Sequence, residues 1–372
     1  MRILFVASLH HPEESGAPRL SGGNDLLFPV SQAHAFWVKA LRAAGHVCDV
    51  FWRSKSVYPW SRERRLVMAE RLTAGRAIRA IASRVPRLSP DLRTRNRRLV
   101  KRCRELRPDV LILVGDNTVV FPETLATLRD TGIAIVYTCG TSPIVFSHPL
   151  ERAAAPLYDL VVANDLYHAM QWRELGARRV EVLPMSAIDP DTHRPYDATP
   201  EERAAWSCDV GFVGTLVPSR LYSERIAALE ALRGLDLGIW SVHEVPASLR
   251  PHHRGALLGE DMIRAISCAR IVVNPHGDFM RWGGNLRLFE ACGAGALQIT
   301  DERPGVREWF APGEHLLTYR DPGHLRELVI SFLGRESERL RIAGAGRRHV
   351  LAHHTYSHRM KRLTELVAAS AP

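Results

Sequence analysis

The sequence predicts an α/β protein built from two successive parallel-sheet domains. Three observations predict it. Short apolar runs alternate with helical patterns along most of the chain. The alternation stops in a proline-rich stretch and then restarts. At 372 residues the chain also exceeds the ~250–300 residues at which a single hydrophobic core stops growing. A hydrophobic content of 46% and a charged content of 24% are those of an ordinary globular protein, which excludes wholesale disorder.

The first half opens with Ile3–Ser8, a short apolar run of the kind that forms a strand buried on both faces. A loop rich in Gly, Pro and Ser follows, ending in Ser21-Gly22-Gly23-Asn24. The spacing then predicts a helix from Val30 to Ala44, closed by Gly45, and a strand over Val47–Trp52. Strand, glycine-rich loop, helix and strand make one βαβ unit. Helices rich in arginine fill Arg62–Arg107. Asp109–Val114 reads as a strand with Gly115-Asp116-Asn117 as its exit turn, Pro122–Asp130 as a helix, and Ala134–Thr138 as a strand. Leu157–Ala163 reads as a strand, Tyr167–Leu175 as a helix ended by Gly176, and Val180–Leu183 as a strand. Pro184 to Ser207, with four prolines, reads as a linker.

The second half repeats the pattern. Strands are predicted at Asp209–Val213, Leu237–Trp240, Ile271–Asn274, Ala296–Thr300 and His315–Tyr319. Helices are predicted at Ser219–Leu232, Asp261–Cys268, Leu286–Cys292, Val306–Phe310, Leu325–Leu333 and Glu336–His354. Strands that alternate with helices call for parallel sheets covered on both faces.

The net charge is +10, and it is concentrated. Arg62–Arg107 holds 16 Lys/Arg against 4 Asp/Glu. This is a solvated helical surface or a surface for anionic lipid headgroups or an anionic acceptor. The stretch has no aromatics on which single-stranded bases could stack, so no nucleic acid is expected as a partner. The six cysteines are far apart and form no CxxC pair, so no zinc knuckle or redox motif is indicated; free thiols in apolar contexts fit a cytoplasmic protein. Ile3–Ala7 is too short for a signal peptide, and no run of ~18 apolar residues is present to cross a membrane.

Parallel sheets bind ligands beyond the carboxyl ends of their strands. Gly22-Gly23, after the first strand, and Gly214-Thr215, after the strand that opens the second half, let backbone N–H groups approach an anion without a Cβ in the way. Neither is a P-loop or a GxGxxG fingerprint. The densest segment is His276 to Gly295. There a strand ends, Gly283-Gly284 follows, and Asn285 stands as a helix N-cap, so the free N–H groups of the next turn and the helix dipole form an anion site. Glu290, about one and a half turns on, can accept hydrogen bonds from a ribose diol. The plain alternative makes it a surface partner of Arg287.

The run Asn285-Leu286-Arg287-Leu288-Phe289-Glu290-Ala291-Cys292-Gly293-Ala294-Gly295, followed by Gln298-Ile299-Thr300-Asp301, resembles the nucleotide-binding segment of the CgeB-like glycosyltransferases, named for a spore-maturation protein. Gly211-Phe212-Val213-Gly214-Thr215 is similar to the strand and loop that open their second domain. Tyr158–Asn164 and Leu183–Pro190 are similar to the end of their first domain, and Leu316–Met360 to their tail. The resemblance covers Asp109 to the C-terminus and is weaker before it.

The resemblance implies a GT-B fold: two Rossmann-like domains facing each other across a cleft. It implies residues 1–184 as the acceptor-side domain, 185–208 as the linker and 209–372 as the nucleotide-sugar domain, with the last helix packing back on the first. The activity implied is metal-independent, retaining transfer of a sugar from a UDP- or GDP-linked donor, which is a substrate rather than a cofactor. The acceptor is unnamed, lipid-linked or a surface polymer, with the enzyme at the inner face of the membrane. Gly22, Gly23, Gly214, Thr215, Gly283, Gly284, Asn285, Arg287 and Glu290 are the expected substrate contacts. In related retaining enzymes a Glu-x7-Glu pair holds the donor. Glu290 matches the second Glu, but Trp282 stands at the first, so Asp278 or His276 is the candidate substitute. Arg220 and Arg287 are the candidate cations for the leaving diphosphate. A nucleotide-sugar epimerase and a non-catalytic nucleotide-sugar-binding protein are the rival readings.

Overall fold

The computed structural model describes residues 1–10, 32–53, 87, 90–115 and 119–369. The expected contacts Gly22 and Gly23 lie outside them, as does most of the basic stretch before Arg87. The chain divides into two units. One comprises residues 1–164, 168–183 and 360–372; the other comprises 165–167 and 184–359.

The first unit holds six parallel strands. They are β1 (Arg2–His10), β2 (Val47–Arg53), β3 (Val110–Val114), β4 (Ala134–Cys139), β5 (Leu160–Ala163) and β6 (Val180–Val182), in the order β2-β1-β3-β4-β5-β6. The unbroken apolar runs of β3 and β5 are buried along their whole length, as expected of strands covered on both faces. The connecting helices are α1 (Gln32–Ala43), α2 (Pro90–Leu106), α3 (Pro122–Arg129), α4 (Pro149–Ala153) and α5 (Leu166–Glu174). The fifth strand starts three residues later than the sequence indicates, because Ala155–Leu157 winds into a 3-10 turn around Pro156. Tyr137 and Tyr158 stack at 4.6 Å against the edge of Trp172 in the core of this unit.

The second unit holds five parallel strands. They are β7 (Cys208–Val213), β8 (Leu237–Trp240), β9 (Ala269–Asn274), β10 (Leu297–Asp301) and β11 (Leu317–Tyr319), in the order β11-β10-β9-β7-β8. Before, between and after them come α6 (Pro200–Trp206), α7 (Ser223–Glu230), α8 (Gly259–Cys268), α9 (Leu286–Gly293), α10 (Pro304–Trp309), α11 (Pro322–Leu333), α12 (Glu336–His353) and the start of α13 (Tyr356–Ala368), whose residues from Met360 on belong to the first unit. The stretch read as a linker contains α6. Thr199 and Glu202 form a capping box around Pro200, a start signal that the surrounding prolines obscured. The helix expected from Ser219 is divided: Arg220–Tyr222 is a 3-10 turn, and α7 begins at Ser223. All six cysteines are free and five are buried; burial raises the Cys103 thiol to about 11.

Candidate functional site

The strand order of the second sheet reverses at β7, with β8 on one side and β9, β10 and β11 on the other. The crevice beyond the carboxyl ends of β7 and β9 is therefore the place where a parallel sheet of this order receives a ligand. The loops leaving those two strands begin at Gly214-Thr215 and at Pro275-His276. Arg225, in the first turn of α7, ties them together. Its Nε donates to the Pro275 carbonyl at 2.8 Å and its Nη1 to the Thr215 carbonyl at 2.7 Å. Burial lowers the pKa of this guanidinium, partly offset by Tyr222 and Asp301. Its charge is accommodated by the carbonyls and by the faces of Tyr222 and Phe212, at 5.0 and 5.7 Å.

A second tether shapes the glycine loop. His276 is fully buried. The Gly284 N–H donates to its Nε2 at 3.1 Å, which makes Nε2 an acceptor and puts the ring proton on Nδ1, facing Asp301 Oδ1 at 2.6 Å. Burial would raise the Asp301 carboxyl, but His276 and Arg303 outweigh it and hold it well below the usual range. On the other side, the Ser186 hydroxyl donates to the Gly284 carbonyl at 3.0 Å. Gly283 and Gly284 have φ of +102° and +90°, a conformation that side chains rarely adopt. Their place next to the helix is set by the peptide held between His276 and Ser186.

Asn285 caps α9 as the sequence indicates. Its Oδ1 accepts from the Leu288 N–H at 2.9 Å, and its amide exchanges hydrogen bonds with that of Asn274 at 2.8 and 3.0 Å. The N–H groups of Leu286 and Arg287, in the first turn, have no intrahelical acceptor. They stand at the positive pole of the helix.

The structure shows the surroundings of three of the expected side chains. The Arg287 guanidinium is turned inward: Nη1 donates to Glu290 Oε2 at 2.7 Å and Nε to the Val213 carbonyl at 3.2 Å, so its charge is engaged within the protein. Glu290 does pair with Arg287, but the carboxyl is buried rather than on the surface, and His193 Nε2 lies 3.4 Å from Glu290 Oε1. Burial raises this carboxyl, yet Arg287 and His193 leave it lowered on balance. Arg220 is not inside a helix but in the exposed turn before α7. That turn is bonded to the glycine-loop segment, the Asp278 N–H donating to the Leu221 carbonyl at 2.9 Å.

The two candidate substitutes for the first Glu are both engaged. Asp278 caps α7 from outside, accepting from the Ser223 N–H at 3.1 Å, from the Ser223 hydroxyl and from the Glu224 N–H at 3.2 Å. Both ring nitrogens of His276 are occupied as described. Trp282 lies over Gly305, where a Cβ would come within 2.4 Å of its ring, and its Nε1 donates to Glu308 at 3.2 Å. Arg225, Ser186 and His193 carry no local signal in the sequence, because the contacts that bring them to this site span 10 to 98 residues.

The sequence pattern of a family described as "Glycosyl transferase-like" matches residues 223–365, which takes in α7 to α13 and the glycine loop. No curated protein sequence matches the chain. Among solved structures, HepE of Anabaena, determined in complex with UDP-glucose, is 13% identical with a TM-score of 0.63, covering 99% of this chain and 100% of its own. Sucrose-phosphate synthase of Thermosynechococcus elongatus is 14% identical with a TM-score of 0.65 over 99% of both chains. A glycosyltransferase of Rickettsia africae is 13% identical with a TM-score of 0.63, covering 99% of this chain and 98% of its own. The full-length likeness, with two parallel-sheet units in one chain, makes the fold GT-B.

Proposed function

We propose that this chain is a glycosyltransferase of the CgeB-like kind, moving a sugar from a nucleoside-diphosphate donor to an acceptor without a metal ion. One observation carries the reading: the first turn of α9, entered through two glycines in left-handed backbone, lies at the point where the strand order of the sheet reverses. Two N–H groups and the helix dipole there suit a diphosphate. The complex of HepE with UDP-glucose supports a UDP-sugar as the donor.

In this reading the leaving diphosphate takes its stabilisation from the Leu286 and Arg287 N–H groups. They are held in place before the reaction and so need no reorganisation as charge develops. Arg220, exposed on the turn bonded to the glycine-loop segment, is the side-chain cation for the same charge. Glu290 accepts from the ribose diol. His276 and Asp278 act as positioning residues. His276 fixes the Gly284 peptide, and Asp278 joins the loop to α7.

UDP or GDP at ~100 times its Kd is expected to stabilise the protein by about 2.7 kcal/mol, with EDTA present. Thermal unfolding with each nucleotide checks it. No shift with any nucleoside diphosphate, or one that needs Mg²⁺ or Mn²⁺, contradicts the reading. Glu290→Gln is expected to weaken nucleotide binding by about 1.5–3 kcal/mol with the fold retained, measured by calorimetric titration. An unchanged Kd would return Glu290 to the role of partner to Arg287 and His193. Trp282 at the position of the first Glu favours the second reading, a nucleotide-sugar-binding protein without activity. Donor turnover measured with and without acceptors separates that protein, an epimerase and a transferase.

A further inference from the structure

Helix α2 of the first unit carries a row of cations that the donor site does not use. Its buried face is Asn96, Leu99 and Cys103. On another face, Arg93, Arg97, Lys101 and Arg104 are all exposed. Their spacing of four, four and three residues puts them on a single stripe, about 16 Å long at 1.5 Å per residue. The stripe borders a cavity of about 580 Å³ between α2 and the start of α3, which Arg87 also lines and whose apolar floor is Val100 and Phe121. Asn96 fixes that junction, accepting from the Phe121 N–H at 2.8 Å and donating to the Leu92 carbonyl at 2.8 Å. The one acid on the cavity wall, Glu123, is held by Arg87 at 2.7 Å. Arg97 and Arg104 have no ion pair among the described residues.

The same unit exposes two adjacent apolar side chains. Ile144 and Val145, on the loop after β4, are 55% and 48% exposed. The loop is not slack. Arg152 Nη1 donates to the carbonyls of Pro143, Ile144 and Ser147 at 3.3, 3.3 and 3.1 Å, and the Ser142 hydroxyl to Gln171 at 3.0 Å. The loop runs directly into α4, α4 packs on α3, and α3 packs on α2.

We propose that the α2 stripe and the Ile144–Val145 loop form a docking surface for an anionic phospholipid membrane. Each feature supplies what the other lacks. Cations aligned on one stripe can all face one plane of phosphates, which a single small anion would not require. A braced apolar knuckle left in water is costly, and it gains by entering the headgroup boundary. A single-stranded nucleic acid would stack its bases on aromatic side chains, and α2 has no aromatic residue. The inference does not depend on the donor reading, and the experiment keeps the two apart.

Flotation with phosphatidylcholine vesicles of rising phosphatidylglycerol content, at low and at physiological salt, tests it. Binding is expected to rise with anionic lipid and to fall as the Debye length shrinks to about 8 Å. The triple variant Arg97→Glu, Lys101→Glu, Arg104→Glu is expected to lower the partition coefficient about 100-fold or more. Ile144→Ser with Val145→Ser is expected to lower it about 10-fold at every lipid composition. All five positions are exposed, and circular dichroism checks that both variants fold. Nucleotide-induced thermal shifts are expected to be the same in wild type and variants; a missing shift in a protein that still floats counts against the donor reading alone. Failure of the wild type to float at any composition overturns the proposal. So does flotation unaffected by the charge reversals, or salt-sensitive binding of a single-stranded oligonucleotide that is tighter than binding to anionic vesicles.

Discussion

Arg225→Ala is expected to destabilise the second unit by about 4 kcal/mol and to weaken nucleotide binding with it. The substitution leaves the Thr215 and Pro275 carbonyls without their donor in a buried setting, and each unsatisfied group costs roughly 1–3 kcal/mol. It also removes the stem and the cationic face packed on Tyr222 and Phe212. Because those carbonyls belong to the loops on either side of the strand-order reversal, loss of the clamp frees the backbone that the proposed nucleotide site is built on. Arg225→Lys is expected to recover less than half of the loss, since one ammonium cannot reproduce a fork aimed at two carbonyls. Chemical denaturation gives the stability and calorimetric titration the affinity. A variant as stable as wild type would mean that the loops are held without Arg225.

Acidification is expected to destabilise each unit separately, starting well above the range where carboxylates titrate. Burial beside the Phe5 and Trp37 rings lowers His34 in the first unit to about 4. In the second unit, burial and then the Arg359 charge lower His354 to about 3. Its ring accepts from Arg359 Nη2 at 2.8 Å, which leaves Nε2 to donate to the Trp309 carbonyl at 3.1 Å. Both histidines fold neutral, and both take up a proton in the unfolded chain near pH 6.5. Their contribution is therefore complete above about pH 6.5 and is lost as the pH falls toward the folded values. Linkage gives a loss of about 2 kcal/mol per histidine between pH 7 and pH 5. Asp301 and Glu290, whose folded pKa values are lowered, add to the loss only below about pH 4.5. Denaturation at pH 7, 6 and 5 measures the slope. His354→Asn is expected to remove the slope of the second unit at a lower starting stability. A stability that stays flat across this interval would show that the two rings do not titrate as their burial requires.

Much of this architecture could be read from local pattern. The runs Val110–Val114 and Ala134–Cys139 are strands because unbroken apolar sequence fits only a sheet covered on both faces. Asn285 could be named as a cap because an N-cap bond closes within three residues. Gly283 and Gly284 could be placed in a tight turn before the helix because glycine alone enters left-handed backbone freely. Other features depended on partners far along the chain. The Arg287–Glu290 pair was legible as a local one, but its anchoring to the Val213 carbonyl, 74 residues away, was not. Asp278 is a cap because α7 starts beside it, 55 residues earlier in sequence. The His276 ring is committed because Asp301 and the Gly284 peptide meet it from opposite sides. Sequence by itself determined which backbone segments form the sheets and which residues cap the helix that follows β9, since hydrogen bonds within a few residues and the period of burial set both. Only the tertiary structure decided which charged side chains remain available there, because a buried charge takes whatever donor or acceptor the fold brings within about 3 Å.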